Sequence, residues 1–232
     1  MSKAKNACAV LFYGLFSAVF LLDILLEMSP RLIVPAHTKL LFAAALCLML
    51  LAATALRVSN ARSEAEKRAA AGRFVWLLFA VYVFNLTQVL FFDAGYGRQT
   101  PFLHDLDGFD FYAPGVNLRP LRTIMTYLDC WRRGVIVRIV FINLVGNIAA
   151  FAPFGYFLPA LFRVMRRWYV FLPVTAALIS LAELSQLFFH VGSCDVDDLI
   201  LNLAGAALFY LLVRIPPVWR LLSRLRLTRE ER

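Results

Sequence analysis

A polytopic, all-α membrane bundle of about six transmembrane helices is the fold class this sequence predicts, on three observations. The 232 residues are 61% hydrophobic and only 17% charged, with a mean hydropathy of +0.71. Soluble domains sit near half apolar and a quarter charged. The apolar residues also fall into runs of the length, about 20 residues, that a helix needs to cross the bilayer core. The basic residues, finally, gather on alternate sides of those runs.

Taken in order, the expected spans are residues 8–26, 40–56, 74–92, 135–162, 168–189 and 196–213. Lys3 and Lys5 precede the first run, which raises a signal peptide as an alternative. The run exceeds the usual 7–15-residue signal core, so a retained anchor is the reading. The segment 57–73, "RVSNARSEAEKRAAAGR", is a polar and helical connector. The fourth span carries Pro153 and Gly155, so a break is expected there. The chain therefore divides into residues 1–73 (two helices and the connector), 74–213 (four helices with a long outer loop at 93–134) and a basic tail at 214–232. The tail places arginines beside Leu and Trp219, the pattern of an interfacial helix.

Orientation follows from the lysines and arginines. With both termini cytoplasmic, that side holds 16 of the 24 basic residues against Glu64, Glu66, Glu230 and Glu231. The net charge of +9 is thus an orientation signal. It is no nucleic-acid footprint, because no soluble domain exists to present it. The four cysteines lack metal-ligand spacing; Cys130 and Cys194 fall on the same outer side, where a disulfide is one alternative.

Polar residues inside the spans are the candidate site. Asn143 and Asn147 share a helix face, as do Glu183 and Gln186, and as do Asp198, Asn202 and Gly205. Counting from the expected outer ends, Asn143, Glu183 and Asn202 each lie about 10 Å deep. An ionisable group at such depth faces protein or a wet cavity. Glu183 then needs donors, which Asn143, Asn147, Gln186 and Asn202 can supply. One reading is helix glue, with Gly146 and Gly205 allowing close approach. Another is a pocket rimmed by Asp195, Asp197 and Asp198. Helix capping accounts for one of these three acids more readily than for all of them. On the same side, "NLRPLRTI" (117–124) brings Asn117, Arg119 and Arg122, which suit pairing with the aspartates or contact with phosphate or carboxylate.

"NLRPLRTI", "NLVGNIAAFAPFGYFLP" (143–159), "ELSQL" (183–187) and "DVDDLILNLAGA" (195–206), in this order, resemble the VanZ-like membrane protein family. The resemblance covers about residues 74–213. It departs from the family pattern at "HVGSC" (190–194), where an arginine is usual before the acidic motif, near Phe209, and in an Asp-rich insertion around 105–110. The founding member is associated with low-level resistance to the glycopeptide teicoplanin. The resemblance implies a bacterial inner-membrane, cell-envelope protein. Its outer pocket would bind an envelope lipid or lipid-linked cell-wall precursor and alter glycopeptide susceptibility. The ligand-binding set is Asn117, Arg119, Arg122, Asn143, Asn147, Glu183, Gln186, Asp195, Asp197, Asp198 and Asn202. The alternative is a membrane-embedded acid/base or metal-assisted enzyme on a lipid-linked substrate, with oxygen donors that suit Mg²⁺ or Ca²⁺. No phosphate-cradling loop or nucleophile–base pair accompanies the acids, so catalytic residues stay unassigned and no metal or cofactor is expected. Membrane lipids are the expected partners, nucleic acid is not, and the oligomeric state is open. Transport lacks the paired inverted repeat it would need.

Overall fold

A computed structural model describes residues 3–27, 29, 34–92, 116–134, 137–192 and 194–228. Its helices are α1 (Lys3–Glu27), α2 (Ala36–Asn60), α3 (Glu64–Phe91), α4 (Arg122–Arg132), α5 (Val137–Phe151), α6 (Phe154–Leu161), α7 (Trp168–Phe188), α8 (Val196–Arg214) and α9 (Pro216–Arg224). Among the described residues, six helical stretches are long and apolar enough to cross a membrane, at the six expected places, with α5 and α6 together forming the fourth. The chain is a multi-pass helical membrane protein. It divides into two compact units, one mainly of residues 1–89 and the other mainly of residues 97–220.

In the first unit, α1 and α2 form a hairpin tied at both ends. Asn60 Nδ2 donates to Asn6 Oδ1 at 2.8 Å, and Lys39 Nζ meets Glu27 Oε2 at 3.1 Å. Phe16, Leu46 and Leu50 pack between these ties with Val81 of α3. The polar connector is almost wholly helical. A capping box restarts the chain as α3, with Ser63 Oγ accepting the Glu66 N–H (3.2 Å) and Glu66 Oε2 accepting the Arg62 N–H (2.7 Å).

In the second unit, α8 packs against α5, α6, α7 and α4. Two glycines allow this. A Cβ on Gly205 would stand 1.9 Å from the Ile148 carbonyl oxygen of α5, and one on Gly155 would stand 2.4 Å from the Tyr210 nitrogen of α8. Both contacts are backbone against side chain-free backbone, the packing small residues permit between membrane helices. Gly146, expected to do the same, has nothing within 4 Å of its Cβ position and faces outward. Pro153 supplies the expected break: α5 ends at Phe151, and the Phe157 N–H bonds to the Pro153 carbonyl at 2.9 Å as α6 begins.

The described part of the long loop is ordered into β1 (Val116–Asn117) and α4; residues 93–115 lie outside the described set, including the Asp-rich insertion. β1 pairs in parallel with β2 (Cys194–Asp195), joining Val116 to Cys194 and Asn117 to Asp195. β2 reaches this position because α7 ends in a Schellman turn. The Val191 N–H bonds to the Gln186 carbonyl (3.0 Å), the His190 N–H to that of Leu187 (3.2 Å), and His190 takes φ 56°.

Candidate functional site

The three aspartates at the start of α8 have three different jobs. Asp195 caps its own helix, its Oδ1 accepting the Asp197 N–H at 2.8 Å. The same carboxylate accepts Asn117 Nδ2 at 3.0 Å and the Thr123 hydroxyl at 2.5 Å. Asp197 caps a different helix. Its Oδ1 accepts the Leu121 N–H (2.5 Å), and its Oδ2 accepts those of Thr123 (2.7 Å) and Ile124 (3.0 Å). These amides belong to the first turn of α4, where backbone donors have no intrahelical partner and a negative charge is favoured. Asp197 is fully buried, a state a carboxylate tolerates only when hydrogen-bonded in this way. Asp198 reaches sideways to α5 and accepts Asn147 Nδ2.

Of the two alternatives for Arg119 and Arg122, pairing with the acids is not the one this arrangement takes. Both arginines are exposed, and neither guanidinium forms an ion pair among the described residues. Peptide amides take Asp197 instead, and side-chain amides and a hydroxyl serve Asp195 and Asp198, none of them carrying the desolvation cost of a buried guanidinium. Leu121 takes the left-handed conformation (φ 65°), costing roughly 1–2 kcal/mol for a residue with a Cβ. Its bond to Asp197 offsets that strain. Asn117 completes the clamp, with Oδ1 accepting the Arg119 N–H (3.2 Å) and Nδ2 also reaching Thr123 Oγ1 (3.0 Å).

Below the mouth, Glu183, Gln186 and Asn202 are all buried, while Asn143 and Asn147 are half-buried. From the helix ends, Asn143, Glu183 and Asn202 lie about 8–9 Å along α5, α7 and α8. Two of the expected donors to Glu183 have other partners. Gln186 Nε2 donates to the Leu90 carbonyl at 2.8 Å, and Asn147 serves Asp198. Asn202 makes no hydrogen bond among the described residues, although it is 2% exposed and its Oδ1 is sealed from solvent. Leaving such a group unsatisfied costs about 1–3 kcal/mol.

Cys130 and Cys194 are both free thiols. Burial pushes the Cys194 thiol above its ordinary pKa, and the carboxylates of Glu183, Asp195 and Asp198 push it the same way. Among the described residues, no three His, Cys, Asp or Glu side chains converge as metal donors. The residue that sequence reasoning overlooked is Thr123, which binds Asp195 through its hydroxyl and Asp197 through its N–H. Its place directly after "RPLR", at the start of a helix, is the signal that could have found it.

Residues 79–219 match the VanZ/LLP1 family model. The chain belongs to that family. No curated protein and no solved structure is detectably similar to it. The VanZ/LLP1 region contains the whole clamp, from Asn117 to Asp198, and the buried polar layer beneath it. In this VanZ-like protein the acidic motif is therefore also an architectural device, fastening α4 across the start of α8.

Proposed function

We propose that this VanZ-like membrane protein recognises the polar part of an envelope lipid or lipid-linked cell-wall precursor between α5, α7 and α8, and so alters susceptibility to glycopeptides such as teicoplanin. In this reading the protein lies in the bacterial inner membrane, with both termini cytoplasmic and the aspartate mouth outside. The observation that carries it is Asn202. A carboxamide buried without a hydrogen bond, one turn beneath Asp198 on the same helix face, destabilises the bundle unless it serves a polar ligand. Glu183 and Gln186 line the facing helix, and the exposed Arg119 and Arg122 stand beside the mouth for an anionic group. Catalysis has no comparable support, because Asp195 and Asp197 spend their oxygens on amide and hydroxyl donors.

Asn202→Leu tests this reading because fold and function should move in opposite directions. Removing the unsatisfied amide stabilises the protein by about 1–3 kcal/mol or leaves it unchanged. Binding of a lipid-linked cell-wall precursor in nanodiscs, and any shift in teicoplanin susceptibility of expressing cells, should be lost. A destabilised variant that still binds the precursor would mean Asn202 serves the fold alone.

A further inference from the structure

The opposite end of the second unit carries a cluster of charge that its own elements do not neutralise. A single 3₁₀ turn, Arg163–Arg166, joins α6 to α7 and meets the last turn of α8. The Arg166 carbonyl accepts the Tyr210 hydroxyl (2.5 Å) and Arg214 Nη1 (2.7 Å). Tyr210 is itself buried and stacked on Phe171, with ring centroids 4.4 Å apart. Arg214 lies over that fixed ring, its Cζ 4.7 Å from the centroid, and Nη1 also donates to the Tyr210 oxygen. The guanidinium is thus held by a carbonyl and a hydroxyl, both at Nη1, and by an aromatic face.

Its other donors are available. Arg214 is exposed, and its Nε and Nη2 groups, the side-on fork of the guanidinium, have no partner among the described residues. Arg163 and Arg167 are exposed and make no side-chain hydrogen bond or ion pair there either. Arg220 spends Nε on the Pro216 carbonyl (3.2 Å), and Arg166 lies 5.9 Å from the Trp219 ring. No acidic residue occurs at 154–182 or 199–224. Four exposed arginines, Arg163, Arg167, Arg214 and Arg220, stand on these elements with no carboxylate of the same elements to balance them. Trp168 (64% exposed) and Tyr169 (55%) mark this end as a membrane–water boundary. Phe162 and Ile215, also exposed, offer apolar surface beside the charges.

We infer that this end of α7 and α8 is a binding site for an anionic phospholipid headgroup, with the Nε/Nη2 fork of Arg214 as its anchor. A phosphodiester presents two oxygens at the spacing of that fork. A guanidinium already fixed by Tyr210 and Arg166 loses little freedom on binding. Arg163, Arg167 and Arg220 add charge attraction, and the neighbouring apolar side chains receive the acyl chains.

The test uses the full-length protein in nanodiscs of phosphatidylcholine with a minor fraction of phosphatidylglycerol, with retained lipid counted by native mass spectrometry. Wild type should retain phosphatidylglycerol selectively. Arg214→Lys keeps the charge but loses the fork, and should lower retention about ten-fold; the Arg163→Gln/Arg167→Gln pair should do at least as much. Neither side chain of that pair forms a hydrogen bond or ion pair among the described residues, so the pair decides the matter if Arg214→Lys does not fold. Unchanged retention in the folded variants, equal retention of the zwitterionic lipid, or full displacement by excess inorganic phosphate would each overturn the inference.

Discussion

Replacing Asp197 with Asn should loosen the start of α4 while leaving the six spans in place. One carboxylate holds three backbone N–H groups at 2.5, 2.7 and 3.0 Å, with no solvent exposure. An amide of the same shape keeps its oxygen where Oδ2 bonds Thr123 and Ile124, but it then turns N–H toward the Leu121 N–H. One hydrogen bond becomes a donor–donor contact, and the other two lose their charge assistance. Hydrogen bonds to a charged group contribute about 1.5–3 kcal/mol each, against about 1 for neutral pairs. The loss should therefore be about 2–4 kcal/mol, well above the roughly 1 kcal/mol typical of a surface cap. Released strain at Leu121 subtracts a little from this. Hydrogen exchange in detergent or bicelles reads the effect locally: opening at 121–124 should rise about 30- to 900-fold, with α8 unaffected. Exchange at Leu121, Thr123 and Ile124 that stays within a few-fold of wild type would show that Asp197 does not hold α4.

Gly205→Ala should cost folded yield, because its Cβ would enter the Ile148 carbonyl at 1.9 Å, whereas Gly146→Ala, with open space, should be neutral by the same detergent-unfolding assay. A cysteine at position 110 should label in intact cells; labelling only after permeabilisation would invert the proposed orientation and remove the outer mouth with it. Alkylation of Cys194 should keep accelerating above pH 9, since its thiol titrates higher than an ordinary one, and Asp198→Asn should speed it at fixed pH by removing one of the charges that raise it.

The fold was legible because a membrane span must announce itself: nothing but about twenty apolar residues satisfies the bilayer core. The break at Pro153 was equally readable, since it acts within four residues along the chain. The similar distance of Asn143, Glu183 and Asn202 from their helix ends needed only helix geometry. What the sequence hid was partnership. Whether Asp197 caps α8 or α4 depends on which backbone the fold brings to it, and Thr123 is 74 residues away. α4 escaped notice for a related reason. Leu121, just before it, and Met125, Leu128 and Trp131 within it follow helical spacing, but over only eleven residues inside a long loop.

The clamp also orders the events of biosynthesis. When the segment 116–124 leaves the ribosome, neither β2 nor the aspartates yet exist. At about 5–20 residues per second, translation needs roughly 4–15 s to cover the distance from Thr123 to Asp197. During that interval the first turn of α4 has bare amides and Leu121 has no reason to remain left-handed. The sixth span therefore completes an element made earlier, and a chain stopped after α7 would present that element to the quality-control machinery unfinished.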